Sequence, residues 1–90
     1  MKEKDKILLL GQAYVHDILM SLLEKPKIFK DLSNSCPNER TRSKRLKALV
    51  DTGLVTTVSL RVGKRYFVHY ALTEKGKKIV SEVSKLKKLL

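Results

Sequence analysis

The order of apolar and polar residues near the start of the chain has the repeat of an α-helix. Apolar positions follow one another at intervals of three, four or seven residues, which places them on a single helical face. These residues are Leu8, Val15, Ile18, Leu19 and Leu22. Lys25 and Pro26 end the pattern, because proline has no amide hydrogen and disfavours helical geometry in the residue before it. We therefore predict one helix from Ile7 to Glu24.

The next segment is too short for a full helical repeat. We predict a brief extended piece at Lys27 and Ile28, followed by a short helix in which Phe29 and Leu32, three residues apart, both face inward. Turn-forming residues then fill positions 33–38. A helix this short is not stable alone, so we expect it to depend on tertiary contacts.

A longer helix is predicted from about Glu39 to Thr52. Asn38 is suited to cap its N-terminus, and Gly53 is suited to end it in the left-handed conformation. At about 100° per residue, the inward face consists of Leu46, Leu49 and Val50. The opposite face carries Arg40, Thr41, Lys44, Ala48 and Asp51, with Arg45 and Lys47 on its flanks. One side of this helix therefore packs, and the other side is basic.

From Leu54 to Thr73 the repeat changes from helical to alternating. Apolar residues at every second position predict two β-strands, one with Val58, Leu60 and Val62 and one with Tyr66, Val68, Tyr70 and Leu72. The residues between them, Gly63-Lys64-Arg65, predict a hairpin loop. We expect core packing to account for most of the strand aromatics, which are Tyr66, Phe67 and Tyr70.

A closing helix follows the strands. Thr73 is suited to cap it, and Gly76 is tolerated in its first turn. Its apolar residues at helical spacing are Ile79, Val80, Val83, Leu86 and Leu90. Because 90 residues are the size of one domain, we predict a single domain over residues 1–90, with the last helix, about 74–90, available for dimerisation.

Charge is the strongest global signal in the composition. The chain has 20 Lys and Arg against 9 Asp and Glu, which gives a net charge of +11 at pH 7. An imbalance of this size implies a polyanionic partner. No acidic residue occurs between positions 52 and 73, where Arg61, Lys64 and Arg65 gather at the hairpin loop. A membrane-surface anchor would need its basic residues opposite the most apolar helix, so this distribution favours nucleic acid over a membrane.

Three blocks of residues carry a family resemblance, namely Lys27 to Leu32, Arg45 to Val55, and Tyr70 to Gly76. In this order they resemble the winged helix-turn-helix regulators of prokaryotes, and among these the short MarR, HxlR and archaeal types. The resemblance implies an α+β winged helix-turn-helix fold, in the order helix, extended piece, short helix, helix, strand, wing, strand, helix. It further implies a regulator of transcription. Because the single cysteine, Cys36, cannot form a disulfide within the chain, we also expect a cytoplasmic, nucleoid-associated protein.

The helix over about 39–52 and the hairpin are the predicted DNA-binding elements. A basic helix fits the major groove, where Arg40, Thr41 and Lys44, nearest its N-terminus, are the best candidates for base contacts. The resemblance makes residues 61–66 the wing, which reaches the DNA backbone or minor groove. Lys27 and Lys30 flank the short helix, whose N-terminal amides are suited to a phosphate. The predicted contacts to double-stranded DNA are Arg40, Thr41, Arg42, Lys44, Arg45, Lys47, Arg61, Lys64, Arg65, Lys27 and Lys30.

The terminal helices predict a homodimer. Apolar residues of the last helix recur at intervals of four, three and four, which is a heptad-like seam, and the first helix has a wide apolar surface. The predicted interface consists of Leu8, Val15, Ile79, Val83, Leu86 and Leu90. Packing of both helices within one chain is the alternative. A dimer would place two recognition helices about one DNA turn apart, so a pseudo-palindromic site is expected.

The residues indicate neither catalysis nor a cofactor. No nucleophile lies beside an evident base, and one cysteine with two distant histidines lacks the spacing of a metal site. We expect no enzymatic activity, no metal and no cofactor, and the sequence indicates no small-molecule effector. Oxidation of Cys36, just before the long helix, would be able to alter DNA affinity. An inert thiol is the simpler interpretation, because no resolving cysteine is present.

Three alternatives to a sequence-specific regulator stay open. A charge this high alone gives salt-sensitive binding to any duplex, as in an architectural protein. An RNA-binding winged helix would use exposed aromatic residues for stacking, so an exposed Phe67 beside Arg65 would favour RNA. A protein-interaction module would leave a sizeable apolar patch exposed after dimerisation.

Overall fold

A computed structural model describes residues 9–89 of the chain. Its elements, in order, are α1 (Val15–Glu24), a 3₁₀ turn (Phe29–Leu32), α2 (Glu39–Asp51), β1 (Val55–Val62), β2 (Arg65–Leu72) and α3 (Glu74–Leu89). The strands β1 and β2 form an antiparallel hairpin. This architecture confirms the predicted α+β winged helix-turn-helix fold.

The predicted continuous helix from Ile7 to Glu24 is wrong between Gly11 and Tyr14. Leu9 and Leu10 are helical, positions 11–14 form turns, and α1 begins only at Val15. Tyr14 has a φ of 70°, in the left-handed region that residues with a side chain rarely adopt. The Nε of Arg45 in α2 donates a hydrogen bond of 3.1 Å to the carbonyl oxygen of Ala13. Local backbone hydrogen bonds and this tertiary contact therefore stabilise a turn where the apolar repeat alone favours helix.

Backbone hydrogen bonds join the segment after α1 to the hairpin. The amide of Lys27 donates to the carbonyl oxygen of Tyr70 at 3.0 Å, and the amide of Tyr70 donates back at 2.7 Å. The predicted extended piece is therefore an isolated bridge to β2. The predicted short helix is the 3₁₀ turn, in which Leu32 is fully buried and Phe29 is half-buried.

Both predicted caps of α2 are confirmed. The side chain of Asn38 accepts a hydrogen bond of 2.9 Å from the backbone amide three residues later. Gly53, with a φ of 81°, follows the helix, and the amides of Gly53 and Leu54 donate to the carbonyls of Val50 and Leu49 at 3.0 and 3.1 Å. This pair of bonds is a Schellman motif. Val50, predicted to face inward, is instead exposed.

The hairpin divides into two halves of different burial. Its register runs from Val55 opposite Leu72 to Val62 opposite Arg65, and the connecting turn contains Gly63. We call positions 55–58 and 69–72 the root, and positions 59–62 and 65–68 the outer half. The root carries the buried Val55 and Leu72, whereas every residue of the outer half is exposed.

The hairpin root is tied closely to the start of α3. The hydroxyl of Thr73 accepts a hydrogen bond of 3.0 Å from the amide of Gly76, which confirms the predicted cap, and it donates one of 2.6 Å to the carbonyl of Gly53. Gly76 is buried, and a Cβ at this position would collide with the carbonyl oxygen of Leu54. The absence of a side chain at Gly76 therefore lets α3 pack directly on the backbone where α2 leads into β1.

Candidate nucleic-acid interface

Three cations on α2 form an exposed row, which we call the reading face. Arg40, Lys44 and Lys47 are spaced at four and three residues, so they lie along one side of the helix. Thr41, beside them, is half-buried. Within residues 9–89, no carboxylate forms an ion pair with these three cations. The reading face therefore presents positive charge that the described part of the protein does not neutralise.

Arg42 was predicted to contact DNA, and the structure shows this prediction to be wrong. Its side chain is buried, and its guanidinium donates hydrogen bonds to the carbonyl oxygens of Cys36 (2.8 Å), Pro37 (3.1 Å) and Phe29 (3.3 Å). The guanidinium also lies 4.6 Å from the centre of the Phe29 ring. A planar donor with five N–H groups can serve several carbonyls at once. Arg42 therefore holds the 3₁₀ turn and the turn before α2 in place.

Two further predicted contacts are occupied within the chain. The Arg45 Nε is bound to the Ala13 carbonyl, and the side chain is half-buried. The Lys27 amine donates to the Ser21 hydroxyl at 2.8 Å and to a Glu24 carboxylate oxygen at 3.1 Å, and only 16% of its side chain is exposed. Both side chains therefore position α1 or the turn before it relative to neighbouring segments. Because they are bound within the chain, they are less available to DNA than predicted.

The 3₁₀ turn lies beside the reading face. An open depression of about 490 Å³ is lined by Phe29 and by the first turns of α2, including Arg40 and Lys44. Lys30, on the 3₁₀ turn, is exposed. Lys30 is not among the residues that line this depression, whereas Glu39 is, so the shallow surface carries the two cations of α2 beside one carboxylate.

The tip of the hairpin carries the second basic group. Arg61, Lys64 and Arg65 are all exposed, and the Arg61 Nε donates a hydrogen bond of 2.9 Å to the carbonyl oxygen of Gly63. The connecting turn is shorter than predicted, because Arg65 pairs with Val62 as the last rung of the sheet. The three cations are thus held at the end of a two-stranded ribbon.

The aromatic residues of the hairpin are the largest departure from the sequence analysis. Core packing was predicted for most of them, but Tyr66 is 68% exposed and Phe67 is 42% exposed, and of the three only Tyr70 packs against the core. Arg61 lies directly opposite Tyr66, and Phe67 lies two residues from Arg65 on the same face of the hairpin. The exposed Phe67 beside Arg65 that was expected for an RNA-binding winged helix is therefore present. The alternating pattern contains no signal for this exposure, since it does not say whether another element covers the sheet.

The predicted dimer residues occupy different environments. Val15 is fully buried in the core of its own chain, so its assignment to a dimer interface is wrong. Ile79 and Val83 are half-buried, and Leu86 is 61% exposed, as is 83% of Leu89 beyond it. Leu8 and Leu90, the remaining two predicted residues, lie outside the described residues. Among the apolar residues of α3, exposure is therefore greatest toward the end of the helix.

Other kinds of site find little support in the described part of the chain. Residues 9–89 contain no group of three or more His, Cys, Asp or Glu side chains placed to hold a metal ion. Their helices include none with the length and apolar character needed to cross a membrane. Cys36 is fully buried, with its sulfur 3.9 Å from the carbonyl oxygen of Asn38.

Several known structures with a similar fold are those of transcriptional regulators. The reduced and diamide-treated forms of the transcriptional regulator YodB from B. subtilis each align with a TM-score of 0.81 and 27% identity, over 98% of this chain and 89% and 90% of theirs. The transcriptional repressor BigR from Xylella fastidiosa aligns with a TM-score of 0.72 and 21% identity, over 92% of this chain and 80% of its own, and shows similarity of fold alone.

Sequence comparisons place the protein in a family. No curated protein sequence matches this chain. The family model described as HxlR-like helix-turn-helix matches residues 9–90, which is nearly the whole chain. This match confirms the resemblance inferred from the three sequence blocks. The chain therefore belongs to the HxlR-like helix-turn-helix family of DNA-binding transcriptional regulators.

Proposed function

We propose that this protein binds particular sequences of double-stranded DNA as a homodimer, with α2 in the major groove and the hairpin on the backbone or in the adjacent minor groove. One observation carries the proposal: the unneutralised reading face of α2 lies on the same molecule as a basic, projecting hairpin. The major groove of B-DNA is about 12 Å wide and admits an α-helix. On this proposal the protein works at the nucleoid.

The reading face of α2 and the cations of the hairpin would make different kinds of contact with DNA. Arg40, Thr41 and Lys44 lie on the first turns of α2, the part of a recognition helix that most often meets base edges. Arginine and lysine are suited to the acceptors of guanine. Lys47, Lys30 and the hairpin cations would contact phosphates, which fix the position of the protein without reading sequence.

Dimerisation is supported by the end of α3. Leu86 and Leu89 expose most of their apolar surface to water, and a small domain gains stability when a second chain covers such groups. Ile79 and Val83 lie on the same helix with part of their surface uncovered. Two copies joined there would offer two reading faces to half-sites about 34–36 Å apart.

Selection of binding sites from a random duplex pool, at several salt concentrations, tests the DNA proposal. We expect enrichment of a roughly symmetric motif and a steep salt dependence. The variant Lys44→Ala/Lys47→Ala should lose most of its affinity. The matched control, Lys78→Ala/Lys88→Ala, removes the same charge from exposed positions of α3 and should bind nearly as well as the wild type. Salt-sensitive binding without enrichment would point to an architectural protein instead.

Sedimentation of the wild type and of Leu86→Asp tests the dimer. Because Leu86 is exposed in the protomer, the substitution should leave folding intact. We expect the wild type to sediment as a dimer and the variant to dissociate at higher concentrations. A monomeric wild type at micromolar concentration would contradict the homodimer. DNA binding by the single chain is tested separately by the selection experiment.

A further inference from the structure

Two large apolar side chains stand at the end of the hairpin, on opposite faces. In an antiparallel pair, residues directly opposite share a face, and neighbours along a strand alternate. Val62 is opposite Arg65, and Tyr66 is opposite Arg61, so Val62 and Tyr66 point to different sides of the ribbon. Val62 is 54% exposed and Tyr66 is 68% exposed.

The rest of the described chain does not cover this pair. The face of Val62 borders an open cleft of about 650 Å³, whose far side is formed by residues 25–27, Asp31 and Asn34. Leu60, Phe67 and Val68 are exposed as well, so the outer half presents apolar surface on both of its faces, and exposed apolar surface of this kind usually marks a binding site.

The nearest charged side chains on the hairpin are Arg61, Lys64 and Arg65, and positions 52–73 contain no acid. Asp31 lines the cleft together with three cations, Lys25, Lys27 and Arg61, so the charge there is positive on balance. Charge complementarity therefore favours an anionic occupant with apolar parts.

Double-stranded DNA meets this requirement in its minor groove, which has phosphates at its rim and sugars along its walls. The groove of B-DNA is only about 6 Å wide. A two-stranded ribbon with side chains on both faces is roughly 10 Å thick, judged from the spacing of packed sheets. The tip cannot enter an undeformed groove with Val62 and Tyr66 in place.

We propose that Val62 and Tyr66 act as an apolar wedge that widens the minor groove and bends the DNA toward the major groove. Apolar side chains that enter the minor groove partly unstack a base step and kink the duplex. The basic residues around the wedge hold the phosphates on both sides of the opening. The inference rests on the proposed duplex binding and adds a deformation that the reading face alone does not require.

The wedge predicts a preference at positions that α2 does not touch. Pyrimidine–purine steps such as TA and CA are the easiest to unstack, so sites flanked by such a step should bind more tightly. The reading face would contact bases in the major groove. The wedge would favour flanking DNA sequences whose base steps are easily unstacked. Tyr66 and Val62 are thus specificity-determining residues of the same complex.

Ligase-catalysed closure of a short duplex measures the bend. The probe carries a site enriched in the selection experiment and is shorter than the persistence length of about 150 bp, so unbent DNA closes slowly. Saturating wild-type protein should accelerate closure. Val62→Thr/Tyr66→Ser, and also the milder Val62→Thr, should lose most of the acceleration while still occupying the duplex at low salt. Val68→Thr, which makes the same change as Val62→Thr at an exposed position of the outer half outside the wedge, should retain it. Thermal unfolding checks that each variant is folded.

The outcomes separate the wedge from the proposed function. Wild-type binding without faster closure, or equal acceleration by the double variant, would overturn the wedge and leave sequence-specific duplex binding intact. No duplex binding by the wild type at low salt would overturn both. A single strand of the same sequence that competes better than the duplex, by an amount that Tyr66→Ser abolishes, would show that the tip stacks on unpaired bases and would also overturn the wedge.

Discussion

The alternating pattern of β2 runs through both the outer half and the root of the hairpin, but the two halves have opposite environments. In the root, Val55 is 1% exposed and Leu72 is 9% exposed. In the outer half, Leu60 and Val68 are 40% and 59% exposed. The root is covered by α1, α2 and α3, whereas the outer half extends beyond these helices. Period-two alternation therefore predicts a strand, but burial depends on which elements reach it.

Two arginines of α2 show that charged side chains of one helix can also have opposite environments. Arg40 and Arg42 are two positions apart, so they point to different sides of the helix. Arg40 is exposed, whereas Arg42 is buried with three carbonyl acceptors. Sequence alone treats both as part of one basic helix. Arg42 donates hydrogen bonds within the protein, whereas Arg40 remains available to a binding partner.

The largest loss of stability is expected at Gly76, which packs against the residue just before the hairpin root. Gly76→Ala places a Cβ against the carbonyl oxygen of Leu54, where neither backbone can easily move. We expect a loss of about 3 kcal/mol in the free energy of unfolding. Gly63→Ala, in the exposed turn that joins the strands of the outer half, is the matched control. It meets no atom within 4 Å and suffers only from its φ of +64°, so about 1 kcal/mol is expected. Urea unfolding at a fixed protein concentration measures both, and equal losses would contradict the comparison.

A pair of leucines tests burial within the hairpin itself. Leu72→Ala removes a buried side chain from the root and should cost about 2–3 kcal/mol. Leu60→Ala makes the same chemical change in the outer half and should cost no more than about 0.5 kcal/mol. For a chain of this size each kcal/mol shifts the melting temperature by about 4–8 °C. Similar melting temperatures for the two variants would mean that the outer half is packed in solution.

The two arginines of α2 provide a smaller and more specific test. Arg42→Lys keeps the charge but cannot donate to the carbonyls of Cys36, Pro37 and Phe29 together, because an ammonium lacks the planar fork. We expect a loss of about 1–2 kcal/mol in stability. Arg40→Lys should leave unfolding unchanged and weaken binding to the selected DNA site. A stability loss at Arg40, or none at Arg42, would reverse the roles assigned to them.

The elements of this fold could be predicted from sequence because local signals mark their ends. Asn38, Gly53 and Thr73 each form the predicted cap, and the change from helical to alternating repeat marks the hairpin. The turn at positions 11–14 was missed because the apolar repeat runs across it, although Gly11 is a local turn signal. Local backbone hydrogen bonds form this turn, and Arg45, 32 residues further along the chain, adds one more. The burial of Arg42 depends on carbonyls of other segments. Local patterns identify elements, and contacts between elements assign the roles of their side chains.

A small effect on stability, with a measurable effect on DNA binding, is expected at the tip of the hairpin. Lys64 is exposed and forms no ion pair among the described residues, so Lys64→Ala should change the free energy of unfolding by no more than about 0.5 kcal/mol. If Lys64 neutralises one phosphate, the slope of log K against log salt should fall by about 0.9 per protomer. Lys78→Ala on α3 removes the same charge away from the proposed interface and should leave the slope unchanged. Equal slopes for the two variants would mean that the tip adds only to the net charge, whereas a difference confined to Lys64 would indicate that the exposed half of the hairpin meets the DNA backbone.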